Sequence, residues 1–118
     1  MESYEGDVKF LSLYTTVYTW CVCMSLNIDK IKDLVLKRLN TIYELEKENA
    51  IDVDVASSLK LELDNIMINS AEEVVLYHLY WYLRKLWLFL DTQRISRELF
   101  EKLIIYSDEL SGALYGAS

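Results

Sequence analysis

Along most of this chain apolar residues recur at steps of three and four, the spacing that gathers them on one face of a helix. Ile28, Ile31, Val35, Leu39 and Ile42 form such a stripe, with Lys30, Lys32, Asp33, Lys37 and Arg38 filling the other face. The pattern predicts an amphipathic helix running to about Asn49. Asp52 or Asp54 then offers an N-cap for a helix built on Val55, Leu59, Leu63, Ile66 and Met67, which Asn69 and Ser70 close. Ser70 with Glu73 three positions on has the spacing of a capping box, predicting a new helix start there. From Val74 to Leu90 the chain is apolar except at His78, Arg84 and Lys85. A helix greasy nearly all round is expected at the centre of a bundle.

Asp91 and Thr92 separate that helix from a last stripe of Ile95, Leu99, Leu103, Tyr106, Leu110 and Leu114, frayed by Gly112 and Gly116. So short a joint predicts a helical hairpin. The first segment, Val8 to Leu26, is open between helix and strand: Thr15, Thr16, Val17, Tyr18, Thr19, Cys21 and Val22 favour strand by propensity. Helix is the preferred reading, because a lone strand would have nothing to pair its backbone groups. The expected fold is therefore all-α, a single domain over residues 1–118, with about five to six helices around a buried central one.

Composition supports this reading and removes others. With 118 residues there is enough chain for one core, and no proline with three glycines disfavours a turn-rich β-sandwich. Nineteen acidic against twelve basic side chains give a net charge of −7 and a pI near 4.6, which repels nucleic acid. The basic pairs Lys37-Arg38 and Arg84-Lys85 do not join into a stripe. Cys21 and Cys23, one residue apart, are expected to be free thiols in a reducing compartment, and one histidine leaves zinc too few ligands. Phe10 to Ile28 carries no charge over nineteen residues, yet contains Ser12, Thr15, Thr16, Thr19, Ser25 and Asn27. That polar load argues against a membrane span, and the acidic start argues against a leader, so a cytoplasmic location is expected.

Chemistry is sparse in this pattern. His78 is the natural suspect for acid–base work, but a histidine on an apolar helix is more often partly buried and hydrogen-bonded to a backbone carbonyl or a tyrosine than catalytic. The residue three before it is Val75, so the Glu-x-x-His signature of di-iron bundles is missing. Glu98 with Glu101, and Asp108 with Glu109, read as wet-face acids, and the glycines at 6, 112 and 116 form no phosphate loop. No catalytic, cofactor or metal residue is assigned, and an enzyme is not expected. What stands out is aromatic content, nine Tyr and three Trp. Rings left at a groove or patch anchor protein interfaces, which makes Trp20, Tyr77, Trp81, Trp87, Tyr106 and Tyr115 the candidate partner-binding residues. The alternative is that these rings fill a roomy core.

At the C-terminus, Leu99-Phe100, Tyr106, Asp108-Glu109-Leu110 and Leu114-Tyr115-Gly116 resemble the last helix of the small Bcl-2-like proteins that poxviruses make to block host defences. The run Leu99 to Gly116 carries the similarity; elsewhere the match is one of layout. The resemblance implies a Bcl-2-like bundle in the infected cell's cytoplasm that binds host apoptotic or innate immune (NF-κB) signalling proteins without catalysis, through a helical groove or face. The Asn-Trp-Gly-Arg signature of the cellular family is absent, so no groove residue carries over. The expected partner is a protein helix or a second copy in a homodimer. The competing reading is a structural bundle that dimerises within a larger complex, unrelated to Bcl-2.

Overall fold

In a computed structural model, residues 27–106 and 108–110 are described. They form four helices: α1 (Ile28–Lys47), α2 (Val53–Ile68), α3 (Glu72–Asp91) and α4 (Arg97–Leu103). Among the described residues there is no strand, so the chain is a helical bundle. The segment Val8 to Leu26, with Trp20, Cys21 and Cys23, lies outside the described residues, as do Gly112, Leu114, Tyr115 and Gly116.

Successive helices run antiparallel, so α1 and α3 start at the same end of the bundle. Lys32, near the start of α1, donates to the Met67 carbonyl at the end of α2 (3.0 Å). Lys60, in the middle of α2, meets Glu46, near the end of α1 (2.8 Å). The predicted α1 stripe is the buried one: Ile31, Val35, Leu39 and Ile42 face the core, joined by Leu45. Asn27 caps the helix by accepting from the Lys30 N–H. Two residues before the expected end, α1 stops at Lys47, and Asn49 turns the chain with a φ of 55°. Asparagine tolerates this left-handed conformation better than most residues.

The expected N-cap of α2 forms at Asp52, whose carboxylate accepts from the Asp54 and Val55 N–H groups. Replacing Asp52 with alanine should cost about 1 kcal/mol, measured by denaturant unfolding, while Asp54→Ala should cost less because Asp54 caps nothing.

Three expectations need correction. The Ser70–Glu73 capping box does not form. The chain stays extended at Asn69 and Ala71, and Ala71 is the N-cap of α3, with no side-chain capping bond. Asn69 instead turns its amide back to the Asn65 carbonyl, closing α2 (2.7 Å).

The second correction concerns α3, which among the described residues is covered on one side only. Val75, Leu76, Leu79, Tyr82, Leu83, Leu86 and Phe89 are buried, whereas Tyr77 and Leu88 are more than half exposed.

The third is the last stripe, which is not one helix. After α4 the chain is extended at Ile104, stays outside helix as far as Tyr106 and is helical again at Asp108. Polar contacts explain the break. Arg38 of α1 donates twice to the Ile104 carbonyl (2.8 and 3.2 Å) and pairs with Glu109 (2.5 Å). Glu109 in turn accepts from the Tyr106 N–H (3.2 Å), and Tyr82 donates to the Leu103 carbonyl (2.6 Å). These bonds satisfy carbonyls that a continuous helix would have used internally.

Between α3 and α4 a hairpin forms as expected, but Asp91 belongs to α3 and the joint is residues 92–96, so Ile95 lies in the joint and not on α4. Arg94 and Ile95 both donate to the Phe89 carbonyl, and Ser96 caps α4 by accepting from Leu99.

Candidate interaction face and buried charge cluster

The seam between α2 and α3 holds the one buried charged residue among those described, Glu62 at 8% exposure. It sits on the α3 side of α2, and its two oxygens are divided between two partners. His78 Nδ1 lies 2.7 Å from Oε1, and Lys85 Nζ lies 2.7 Å from Oε2. Lys85 also donates to the Ser58 carbonyl (3.1 Å). His78 and Lys85 are seven residues apart, two helical turns, and so share the face of α3 that meets α2. With Glu62 ionised, the His78 ring must carry its proton on Nδ1 to complete the pair.

His78 is thus partly buried and tied to a neighbour, but the neighbour is a carboxylate on another helix and not the expected backbone carbonyl or tyrosine. The arrangement joins two helices through groups that satisfy one another, and no buried side-chain nitrogen or oxygen among the described residues lacks a partner. Nothing in the sequence advertised Glu62, which stands between Leu61 and Leu63. The available signal was its phase, since it shares the Val55, Leu59 and Ile66 side of α2.

Alongside this seam lies an outward row of apolar side chains. One residue before Glu62 is Leu61, at 57% exposure, and two turns on is Ile68, at 78%. One residue before His78 is Tyr77, at 57%, followed along the same face of α3 by Trp81 and by Leu88, at 51%. Edge-to-face contacts bind the rings together: Tyr77 lies 5.1 Å from His78 and 6.3 Å from Trp81, and Tyr80 lies 5.4 Å from Trp81, measured between centroids. Such contacts hold the rings in place even where water touches them. Asp54, Asp64, Glu73 and Asp91 are exposed on the same two helices.

The six candidate partner-binding residues therefore separate. Tyr77 and Trp81 stand together on the outward face of α3. Trp87 is partly buried and packs against the core, with its ring 4.8 Å from that of Phe100. Tyr106 is half exposed on the non-helical stretch after α4, two residues beyond the Ile104 carbonyl that Arg38 holds. Trp20 and Tyr115 lie outside the described residues. Sequence reasoning missed Leu61 and Ile68, because isolated aliphatics on a half-buried helix carry no aromatic flag.

Among the described residues no group of His, Cys, Asp and Glu is arranged to hold a metal ion, and no helix is long and apolar enough to cross a membrane. Compared with protein-family models, curated proteins and solved structures, the chain matches none of them.

Proposed function

We propose that this protein is a non-enzymatic interaction module whose α2–α3 face takes an amphipathic helix from a partner protein. The observation that carries the proposal is the row of Leu61, Ile68, Tyr77 and Leu88, each more than half exposed, flanking a fixed interhelical seam. Apolar side chains spread along two packed helices match anchors repeating at three and four residues on a docking helix. The acids around the row favour a partner helix with Lys or Arg at its flanks. The C-terminal resemblance to poxviral Bcl-2-like proteins supports a host apoptotic or innate-signalling protein as the owner of that helix, met in the cytoplasm.

Titration with fluorescent amphipathic helices bearing Leu and aromatic anchors tests the proposal. Binding in the micromolar range is expected, weakened tenfold or more by Leu61→Ala with Tyr77→Ala, since each large side chain buried contributes about 1.5 to 3 kcal/mol. No binding at several hundred micromolar sinks the reading. Sedimentation equilibrium tests the second-copy alternative: a dimer dissociated by the same double substitution would assign the face to self-association.

A further inference from the structure

We infer that the outward face of α1 pairs with the same face of a second copy of this chain, antiparallel, about a twofold axis at Asn40. This face is separate from the α2–α3 row and leaves that row free for a partner helix.

Asp29, Asp33, Leu36, Asn40, Tyr43 and Lys47 follow one another at steps of four and three, so they share one side of α1. All six are exposed, on the side away from the buried stripe of Ile31, Val35, Leu39 and Ile42. Two near its middle are large and apolar in body, Leu36 at 46% and Tyr43 at 52% exposure. Lys30, Lys37, Glu44 and Glu48 run alongside, exposed as well. None of these charges is used within the fold: among the described residues the ion pairs of α1 are those of Arg38 with Glu109 and of Glu46 with Lys60.

The order of the charges selects the occupant. Measured from Asn40 at the helical rise, Asp33 lies about 10 Å to one side and Lys47 about 10 Å to the other. Leu36 and Lys37 stand about 5 to 6 Å before Asn40, and Tyr43 and Glu44 about 5 to 6 Å after it. An antiparallel twin centred on Asn40 therefore sets each Asp33 level with Lys47 of the other copy, each Lys37 with Glu44, and each Leu36 with Tyr43. Lys30 and Glu48 fall within about 3 Å of level. Every one of these contacts is made twice. Asn40 meets its own copy on the axis, where an amide that both donates and accepts is complementary to itself.

Other arrangements lose this match. A parallel twin would set each charge against itself, which is unfavourable. On the α2–α3 face the exposed Asp54, Asp64, Glu73 and Asp91 would meet like charges in any orientation of two copies. The α1 face thus suits a second copy, and the acidic row suits a foreign helix. From Asp29 to Lys47 the face is about 27 Å long and one helix wide, smaller than a standard interface, so a dimer dissociating in the micromolar range and loosened by salt is expected.

Sedimentation equilibrium of the full-length protein, from about 5 to 500 μM, tests this. Lys37→Glu with Lys47→Glu is expected to weaken the dimer roughly tenfold or more, because like charges then face each other four times across the axis. Asp33→Lys with Glu44→Lys should do the same for the same reason. An equimolar mixture of the two variants should regain the native strength, since every pair is again unlike. Asn40→Lys, which sets two ammonium groups on the axis, is an independent single substitution expected to weaken the dimer as well. All five positions are exposed, so the variants are expected to fold, and circular dichroism checks this.

A native protein that stays monomeric at several hundred micromolar overturns the inference. So does a dimer that the charge reversals and Asn40→Lys leave unmoved, or a mixture no tighter than its two components. A dimer dissociated by Leu61→Ala with Tyr77→Ala and untouched by the α1 variants would assign self-association to the α2–α3 face instead. The helix titration is read on that other face, and the α1 variants should leave it unchanged, so failure of one reading does not carry the other with it.

Discussion

Replacing Tyr82 with alanine should lower the unfolding free energy by about 3 to 5 kcal/mol, the range for deleting a buried aromatic ring. Tyr82 is fully buried, packed where α3 meets the end of α4, and its hydroxyl donates to the Leu103 carbonyl. Tyr82→Phe keeps the ring and removes only the donor, so about 1 to 2 kcal/mol is expected for the stranded carbonyl. Guanidinium melts of the two variants check both figures.

The hydroxyl also predicts a pH effect. Burial holds the Tyr82 phenol well above its ordinary value, with the Arg38 guanidinium opposing the shift. The folded state therefore keeps this proton more tightly than the unfolded chain. The stabilisation is fully present below about pH 10, where an unfolded phenol titrates, and is lost as pH rises above it. Measured between pH 8 and 11, the native protein should lose stability more steeply than Tyr82→Phe. Equal slopes would show that this phenol is not held neutral by the fold.

The second large effect is expected at Glu62. Glu62→Leu removes the acceptor for both His78 and Lys85, whose side chains are only 18% and 22% exposed. Breaking a fully buried pair from one side costs about 3 to 5 kcal/mol, and the partial access of water here lowers that to about 2 to 3. Adding His78→Leu and Lys85→Met should recover most of the loss, because the stranded polar groups leave with the carboxylate. If the triple variant is as unstable as the single one, the three side chains are not an energetic unit.

Why the cluster escaped the sequence shows the limit of periodicity as a guide. Within one helix the apolar stripe is a local signal, and it located the buried faces of α1 and α2 along with the Asp52 cap. Glu62 and His78 are sixteen residues apart and meet only because α2 and α3 are antiparallel, a relation no window along the chain contains.

Arg38 is a stronger case, since its partners lie 66 and 71 residues away. It draws Ile104 out of helical geometry while Leu103 and Leu110 remain in the core on either side of the break. Their spacing therefore still looked like one continuous stripe. The over-wide apolar surface of α3 was legible in the sequence. Its division into a face against α2 and α4 and a face turned outward was not, because that depends on how many neighbours pack around it.

The same antiparallel pair has a consequence for alignment. Two leucine-rich helices can slide past one another by a turn, about 5.4 Å, and still bury comparable oil. Here such a slip would leave a carboxylate among aliphatics and an ammonium without its mate, so only one vertical setting is inexpensive. Any ladder of side chains projecting from those two helices inherits that setting, and a ruler with fixed graduations is what a visiting helix must match.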